Sequence, residues 1–302
     1  MPQNEQLQKK EFEVLTLLES VKTPLTQRDI ATKLGVSIGT CNKVCQGLTS
    51  AGYILDGTIT EKGLQALQPY KVKRAIFLAA GFGSRMVPLT FNTPKPLIRV
   101  NGTRMIDTLL DAVTSAGIPE VIIVRGYLAE QFDQLLYKYP NVKFVENNLY
   151  NDANNISSAM CVKDLLENAY VLEADLVLSN KSLIRKYEYS SNFLSIPVEN
   201  TDDWCFYVDN NKIIKEQSVG GRNCHQMVGI SYWDSEAGKK LATDIEEVFN
   251  SPGGKERYWD QVPFVYKKEN YAVEVRECKS TDIVEIDTYN ELKKIDKLYA
   301  GK

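Results

Sequence analysis

The sequence is nearly without histidine: His225 is the only one in 302 residues. That excludes His-cluster metal chemistry and any mechanism needing two imidazoles. The six cysteines (Cys41, Cys45, Cys161, Cys205, Cys224 and Cys278) include no Cys-x-x-Cys pair, so no structural zinc site is expected. No apolar run approaches the ~18 residues that cross a bilayer. The opening Met-Pro-Gln-Asn-Glu-Gln has neither the basic nor the apolar region of a secretory signal. Charge is balanced as well, with 36 basic and 39 acidic side chains and a net of −3, which argues against a chain built mainly to grip nucleic acid. What is present is an ordinary globular mixture, 43% hydrophobic and 25% charged, long enough for about two domains. A cytoplasmic protein is expected. Cys41 and Cys45, four apart on an expected helix, read better as two small buried hydrophobes than as a redox or metal pair. His225 can contact an anionic substrate, but a structural or surface role is the expectation.

Residues 1–70 read as a compact helical module. Phe12, Leu15, Leu17 and Leu18 recur at helical spacing. Thr26 caps a helix from Gln27 to Leu34 with Asp29 at the capping-box position, and Gly35 ends it. Ser37 opens a third helix to about Ser50, with Val44 and Leu48 facing inward. Tyr53–Leu55 and Thr58–Thr60 flank the Asp56-Gly57 turn as a hairpin. This order resembles a winged helix-turn-helix domain, whose third helix enters the DNA major groove. DNA is therefore a candidate partner, but residues 1–70 carry seven basic and seven acidic side chains. The expected recognition helix offers only Lys43 among Thr40, Asn42 and Gln46, where a DNA reader presents a basic face. Dimerisation or regulation suits the module equally well.

After the linker Pro69–Lys73 the pattern changes to strands alternating with helices over residues 73–302. Strands are expected at Ala75–Leu78, Val121–Val124, Val142–Val145, Tyr170–Leu172, Phe193–Pro197, Trp204–Val208, Val228–Tyr232, Tyr271–Val275 and Ile283–Ile286. Helices are expected at Met105–Ala116, Leu128–Lys138, Ile156–Leu166, Glu236–Phe249 and Tyr289–Leu298. Such alternation implies a mainly parallel sheet covered on both faces. The Asp209-Asn210-Asn211 turn adds an antiparallel hairpin.

The most informative segment is Leu78-Ala79-Ala80-Gly81-Phe82-Gly83-Ser84-Arg85-Met86, followed by Thr93-Pro94-Lys95-Pro96-Leu97. A glycine-rich turn directly after the first strand brings backbone N–H groups against phosphates. Arg85 adds a planar fork for phosphate oxygens, and Lys95 is a second cation on a backbone stiffened by two prolines. A dinucleotide fingerprint needs a third glycine where Met86 stands, and a P-loop needs Gly-Lys-Ser/Thr; neither is present.

These two motifs together resemble the signature of sugar-phosphate nucleotidyltransferases and their relatives, which move a nucleotidyl group from an NTP to a phosphorylated acceptor. The resemblance covers about residues 73–302. It implies an α/β, Rossmannoid, GT-A-like domain with a mixed, mainly parallel sheet, preceded here by the small winged helix-turn-helix domain. It also implies that Ala79, Ala80, Gly81, Gly83 and Ser84 line the nucleotide site, that Gly81 and Gly83 cradle the triphosphate, and that Arg85 and Lys95 act on its phosphates. Further segments are similar to bacterial CTP:phosphocholine cytidylyltransferases: Asn148-Leu149-Tyr150, Asn154 to Ser158, Val228 to Tyr232, Tyr258-Trp259-Asp260 and Glu285-Ile286-Asp287. The expected reaction joins CMP from CTP to a phosphorylated amino alcohol, phosphocholine first. Phosphoethanolamine, 2-aminoethylphosphonate and a sugar 1-phosphate are alternative acceptors. A DNA-binding regulator with a ligand-sensing domain is the alternative of another class.

Asp175 and Asp287 both follow strands, where ligands bind on parallel sheets. Together they can hold Mg²⁺ on the triphosphate, the role the resemblance implies, with Glu173 and Glu285 as alternates; each aspartate can instead cap the next helix. A phosphate monoester has a second pKa of about 6, so its oxygen is already anionic and needs no general base. A quaternary ammonium calls for aromatic faces backed by carboxylates. Trp259 and Asp260 are the first candidates, with Tyr258, Tyr232 and Trp204 behind them. Tyr150, Asn154 and Asn155 are candidates to shape the nucleotide or acceptor pocket, Asn154 being equally suited to a helix cap.

Overall fold

A computed structural model describes residues 6–21 and 23–300. It divides the chain into two compact units that meet between Lys71 and Val72. The first holds helices α1 (Lys9–Ser20), α2 (Gln27–Leu34) and α3 (Ile38–Ser50). The expected signals are in place: Thr26 and Asp29 form a reciprocal capping box, Gly35 takes φ 65°, and the Ser37 side chain accepts from the Thr40 backbone N–H. The buried stripe of α3 is Cys41, Cys45 and Leu48. Val44, expected inward, is half-buried because the two cysteines one turn apart take the inner face. Their sulfurs lie 3.8 Å apart, and burial pushes the Cys45 thiol up to about 12, as suits packed hydrophobes. Strands β1 (Ile54–Leu55) and β2 (Thr58–Ile59) pair through Asp56 and Gly57, at φ 50° and 73°, the conformation of a type I′ hairpin. A short helix not expected from the sequence, α4 (Glu61–Ala66), follows because Thr60 caps it.

The second unit is built on a seven-stranded sheet. Its strands in chain order are β3 (Arg74–Ala79), then the small hairpin β4 (Arg99–Val100) and β5 (Thr103–Arg104) outside the sheet, β6 (Glu120–Arg125), β7 (Val142–Glu146), β8 (Ala169–Glu173), the outlying β9 (Leu176–Leu178), β10 (Asn192–Val208), β11 (Ile214–Trp233) and β12 (Glu274–Glu277), with β13 (Ile283–Glu285) pairing β9. The order across the sheet is β12-β10-β11-β8-β3-β6-β7, parallel except where β11 runs against both β10 and β8. The central strands are apolar on both faces, as parallel strands under helices must be. Phe77, Ile123 and Leu172 pack against α5 (Met105–Ser115) on one side. Ile76, Ile122, Phe206, Trp233 and Phe264 pack with α6 (Ile156–Cys161) and α7 (Ser235–Phe249) on the other.

Expectations change at four places. Phe193–Pro197 and Trp204–Val208 are one strand, because β11 continues the ladder past the polar stretch Glu199–Asp203 with register shifts. The segment Ala129–Tyr137 is 3₁₀ rather than α-helical and follows Leu128 at φ 49°. The helix expected over Ile156–Leu166 stops at Cys161, and that expected over Tyr289–Leu298 (α8) stops at Ile295. Among the described residues no helix is long and apolar enough to cross a membrane.

Phe206 stands between Phe193 and Phe264, ring centroids 5.0 and 4.9 Å away. Phe206→Ala is expected to destabilise the protein by about 3–5 kcal/mol, read from the shift of its urea unfolding midpoint.

Candidate active site

The ends of β3 and β8 open onto a cleft of about 780 Å³. Ala79, Ala80, Gly81, Gly83, Ser84, Arg85 and Lys95 all line it. The two glycines differ in kind. Gly81 has open space where a side chain would stand, which leaves its backbone bare. Gly83 has φ 62°, and a Cβ there would sit 2.9 Å from the Lys95 Cβ and 3.1 Å from Thr90 Cγ2, so only glycine lets the loop close over Lys95. Thr90 Oγ1 donates to the Gly83 carbonyl at 3.0 Å and holds that approach.

Lys95 is buried. Its Nζ donates to Asp175 Oδ2 at 2.7 Å and Asp287 Oδ1 at 2.9 Å. Burial alone would push its pKa down, but Asp175 and Asp287 outweigh it and the net shift is upward. Arg85 Nη2 reaches the same Asp287 oxygen at 2.8 Å while its side chain stays 65% exposed. Asp287 does not cap the following helix; Thr288 does, in a capping box with Glu291, which leaves the Asp287 carboxylate to the cleft.

Ligand oxygens of Glu173, Asp175 and Glu285 lie within 4.8 Å of one another. Burial, then Asp175 and Glu285, push Glu173 well above the usual carboxylate range. Burial, then Asp175 and Asp287, push Glu285 to about 8. One Asp175 oxygen, Oδ1, is buried without a hydrogen-bond partner. Crowded hard oxygens with unmet charge and an orphaned acceptor fit a divalent cation such as Mg²⁺.

Tyr150, Asn154 and Asn155 line the cleft too. Tyr150 lies against Gly126, where a Cβ would come within 2.7 Å of its ring, and 5.3 Å from the Phe82 ring. Asn154 caps no helix with its side chain: its amide donates to Glu256 O at 3.2 Å, and its Oδ1 accepts from the Asn155 N–H. Asn155 Oδ1 accepts from the Trp259 backbone N–H at 2.9 Å. Unassigned from sequence, buried Asn147 also faces the cleft and donates to the Ser157 and Ser158 hydroxyls at 2.9 and 3.0 Å. Its place just past the end of β7 was the available signal.

Of the aromatic candidates, Trp204 and Tyr258 line the cleft with ring centroids 5.8 Å apart at 65°, and Asp203 and Asp260 line it beside them. Asp260 is 8% exposed, and burial pushes its carboxyl up to about 6. Trp259 and Tyr232 do not reach the cleft. The bond from Trp259 N–H to Asn155 turns its ring inward, 6.1 Å from Trp233 and 3% exposed. Tyr232 pairs with Tyr170 across β8 and β11 and donates to Asn168 Oδ1 at 3.1 Å inside the core. His225 lies outside the cleft, 3.2 Å from Glu277.

Comparison with known proteins agrees with this geometry. Residues 74–199 match the nucleotidyl transferase family model, and residues 7–54 match that of a winged helix-turn-helix DNA-binding domain. The 2-aminoethylphosphonate cytidylyltransferase of Lancefieldella rimae is 37% identical over 228 residues, 74% of this chain and 92% of that protein. The choline-phosphate cytidylyltransferase of Streptococcus pneumoniae is 34% identical over 226 residues, 74% of this chain and 97% of that one. The solved structure of CTP:phosphocholine cytidylyltransferase from Streptococcus pneumoniae superposes with TM-score 0.70 at 34% identity, over 76% of this chain and 99% of that one. The site is thus a glycine loop closed over a buried lysine beside a nest of carboxyl groups. With these relatives, the chain belongs to the nucleotidyl transferase family.

Gly83→Ala would force the loop off Lys95. It is expected to lower kcat/KM by about 100-fold, the cost of a displacement of about 1 Å in a positioned group, and to lower the melting temperature modestly through strain at a positive φ, while circular dichroism stays near wild type.

Proposed function

We propose that the protein transfers CMP from CTP to phosphocholine in the cytosol, giving CDP-choline and pyrophosphate. The observation that carries this reading is the wall of Trp204 and Tyr258, backed by Asp203 and Asp260, in the same cleft as Arg85 and Lys95. Aromatic faces attract a quaternary ammonium through their quadrupoles, and nearby carboxylates add charge. The two named relatives supply the chemistry of the class, and six unpaired cysteines suit a reducing compartment.

The chain's own groups divide the work. Backbone N–H groups of the Gly81–Ser84 loop face the phosphates, and exposed Arg85 closes over the outer ones. Lys95, already desolvated, stabilises charge developing around the α-phosphorus without reorganising at that moment. Asn147 fixes the Ser157 and Ser158 hydroxyls in the wall of the cleft. The acceptor's phosphate oxygen attacks as an anion, so the residues need only bring it into line. Asp175 and Asp287 would hold Mg²⁺, with Glu173 and Glu285 alongside. When bound, the metal neutralises charge on the triphosphate and on departing pyrophosphate.

A second acceptor has a specific observation behind it. With Trp259 and Tyr232 in the core, the two carboxyl groups Asp203 and Asp260 equal in number the two rings, Trp204 and Tyr258, on this wall of the cleft. That balance suits a primary ammonium, as in 2-aminoethylphosphonate. For the N-terminal unit, the family match points to DNA, whereas its seven basic and seven acidic side chains favour the enzyme reading over a regulator.

Pyrophosphate release should be measured with each NTP against phosphocholine, phosphoethanolamine, 2-aminoethylphosphonate and a sugar 1-phosphate. CTP with phosphocholine is expected to be fastest; a faster pair would replace this reading. Trp204→Ala should raise the acceptor KM about tenfold, within the cation–π range, with the CTP KM unchanged. Trp259→Ala should lower the melting temperature without that selective effect. Lys95→Ala should reduce kcat by about 1000-fold, the scale of one lost charge-stabilising donor, and weaken CTP binding far less. A salt-sensitive, sequence-selective DNA shift by the full chain would instead support the regulator.

A further inference from the structure

Asp260 presents an unusual problem for a group facing a cationic acceptor. A carboxylate that is 8% exposed loses most of its hydration, and a desolvated carboxylate tends to protonate unless donors replace the water. A protonated Asp260 would have no charge to offer. Its side-chain donor is Gln217, whose Nε2 hydrogen-bonds to Asp260 Oδ2 and counters the upward push of burial.

Gln217 does not itself line the cleft. It sits on β11 opposite Phe206, two residues along β10 from Trp204. Its Nε2 is also 3.4 Å from the sulfur of Met227, which does line the cleft. The other end of the amide, Oε1, is buried with no partner. A buried carbonyl left unpaired is unfavourable, so the amide is not placed here to satisfy its own groups. What it does satisfy is the carboxylate. One hairpin thus carries Trp204 and also the donor that holds Asp260, which arrives from the separate segment Tyr258–Gln261.

We infer that Gln217 is a positioning residue for acceptor recognition: its amide keeps Asp260 ionised and turned toward the acceptor's cationic end. The inference rests on the reading of Trp204, Tyr258 and Asp260 as the acceptor's cation site. It predicts that Gln217 governs selectivity for charge and leaves the handling of CTP alone.

The test compares phosphocholine with 3,3-dimethylbutyl phosphate, which has the same shape with carbon in place of the ammonium nitrogen. If 2-aminoethylphosphonate proves the better acceptor, propylphosphonate is the uncharged counterpart. The full-length wild type should favour the cationic acceptor in kcat/KM. Gln217→Leu should cut that preference about tenfold or more, the worth of a hydrogen bond to a charged group, through the acceptor KM. The KM for CTP should not move. Asp260→Asn should lower the preference at least as far as Gln217→Leu does, leaving the part due to Trp204, Tyr258 and Asp203, and adding Gln217→Leu to it should change nothing further, because both substitutions act on one interaction.

An unchanged preference in Gln217→Leu, an equal loss on both acceptors, or a further loss in the double variant would overturn the inference. Should Gln217→Leu melt early, Gln217→Met fills the same space and is read by the same criteria. Failure of the underlying reading looks different. In that case the wild type shows no preference for charge, or Asp260→Asn keeps it in full.

Discussion

The active cleft depends on one electrostatic arrangement: a buried ammonium, Lys95, shared between Asp175 and Asp287. Four carboxyl groups crowd this end of the sheet, counting Glu173 and Glu285, which are pushed up even with Lys95 present; loss of its charge would add to their repulsion. Lys95 is available there only because Gly83 has no side chain and because the flanking prolines stiffen its backbone. The geometry of the glycine loop and that of the carboxylate nest are therefore one problem. A change in either is felt in the other.

The sheet is divided in the same sense. Its parallel half, β3, β6 and β7, supplies the glycine loop, Tyr150 and Asn147 from the ends of its strands. Its antiparallel part supplies Trp204, Asp203, Met227 and Gly229 from one long hairpin. Gly229, at φ 63°, would bring a Cβ within 2.8 Å of Glu173 Oε2, so the hairpin approaches the carboxylate nest closely at a point where only hydrogen is tolerated. The two groups of residues proposed for nucleotide and acceptor thus converge from different parts of the sheet onto the end of β8.

Much of this was legible in the sequence, for identifiable reasons. Strands buried on both faces, such as Ala75–Leu78 and Val121–Val124, read as short apolar runs. Local caps such as Thr26, Gly35 and Ser37 announce helix ends because their chemistry is local. The glycine loop with Arg85 and the Pro94-Lys95-Pro96 segment form a pattern rare enough to read directly, whereas Asp175 and Asp287 could be picked out only as carboxylates after strands. The failures were matters of direction. Tyr258, Trp259 and Asp260 are adjacent in sequence, yet the middle side chain turns into the core while its neighbours face the cleft, and adjacency carries no information about that turn. The polar stretch Glu199–Asp203 resembles a loop because its pairing is supplied by a distant strand. Asn147 had only its place just past a strand end to mark it, and Gln217 had no local signal, because it acts through a neighbour.

The long β10–β11 hairpin has a consequence for how such a protein can diversify. Because it is joined to the rest of the sheet mainly through β8 and β12, substitutions along its 17- and 20-residue strands can reshape one wall of the cleft while the glycine loop and Lys95 stay untouched. Selection acting on this hairpin can then redirect the same reaction toward a new partner molecule. The polar, bulged interior that made it hard to read as a strand is also what gives it room to vary.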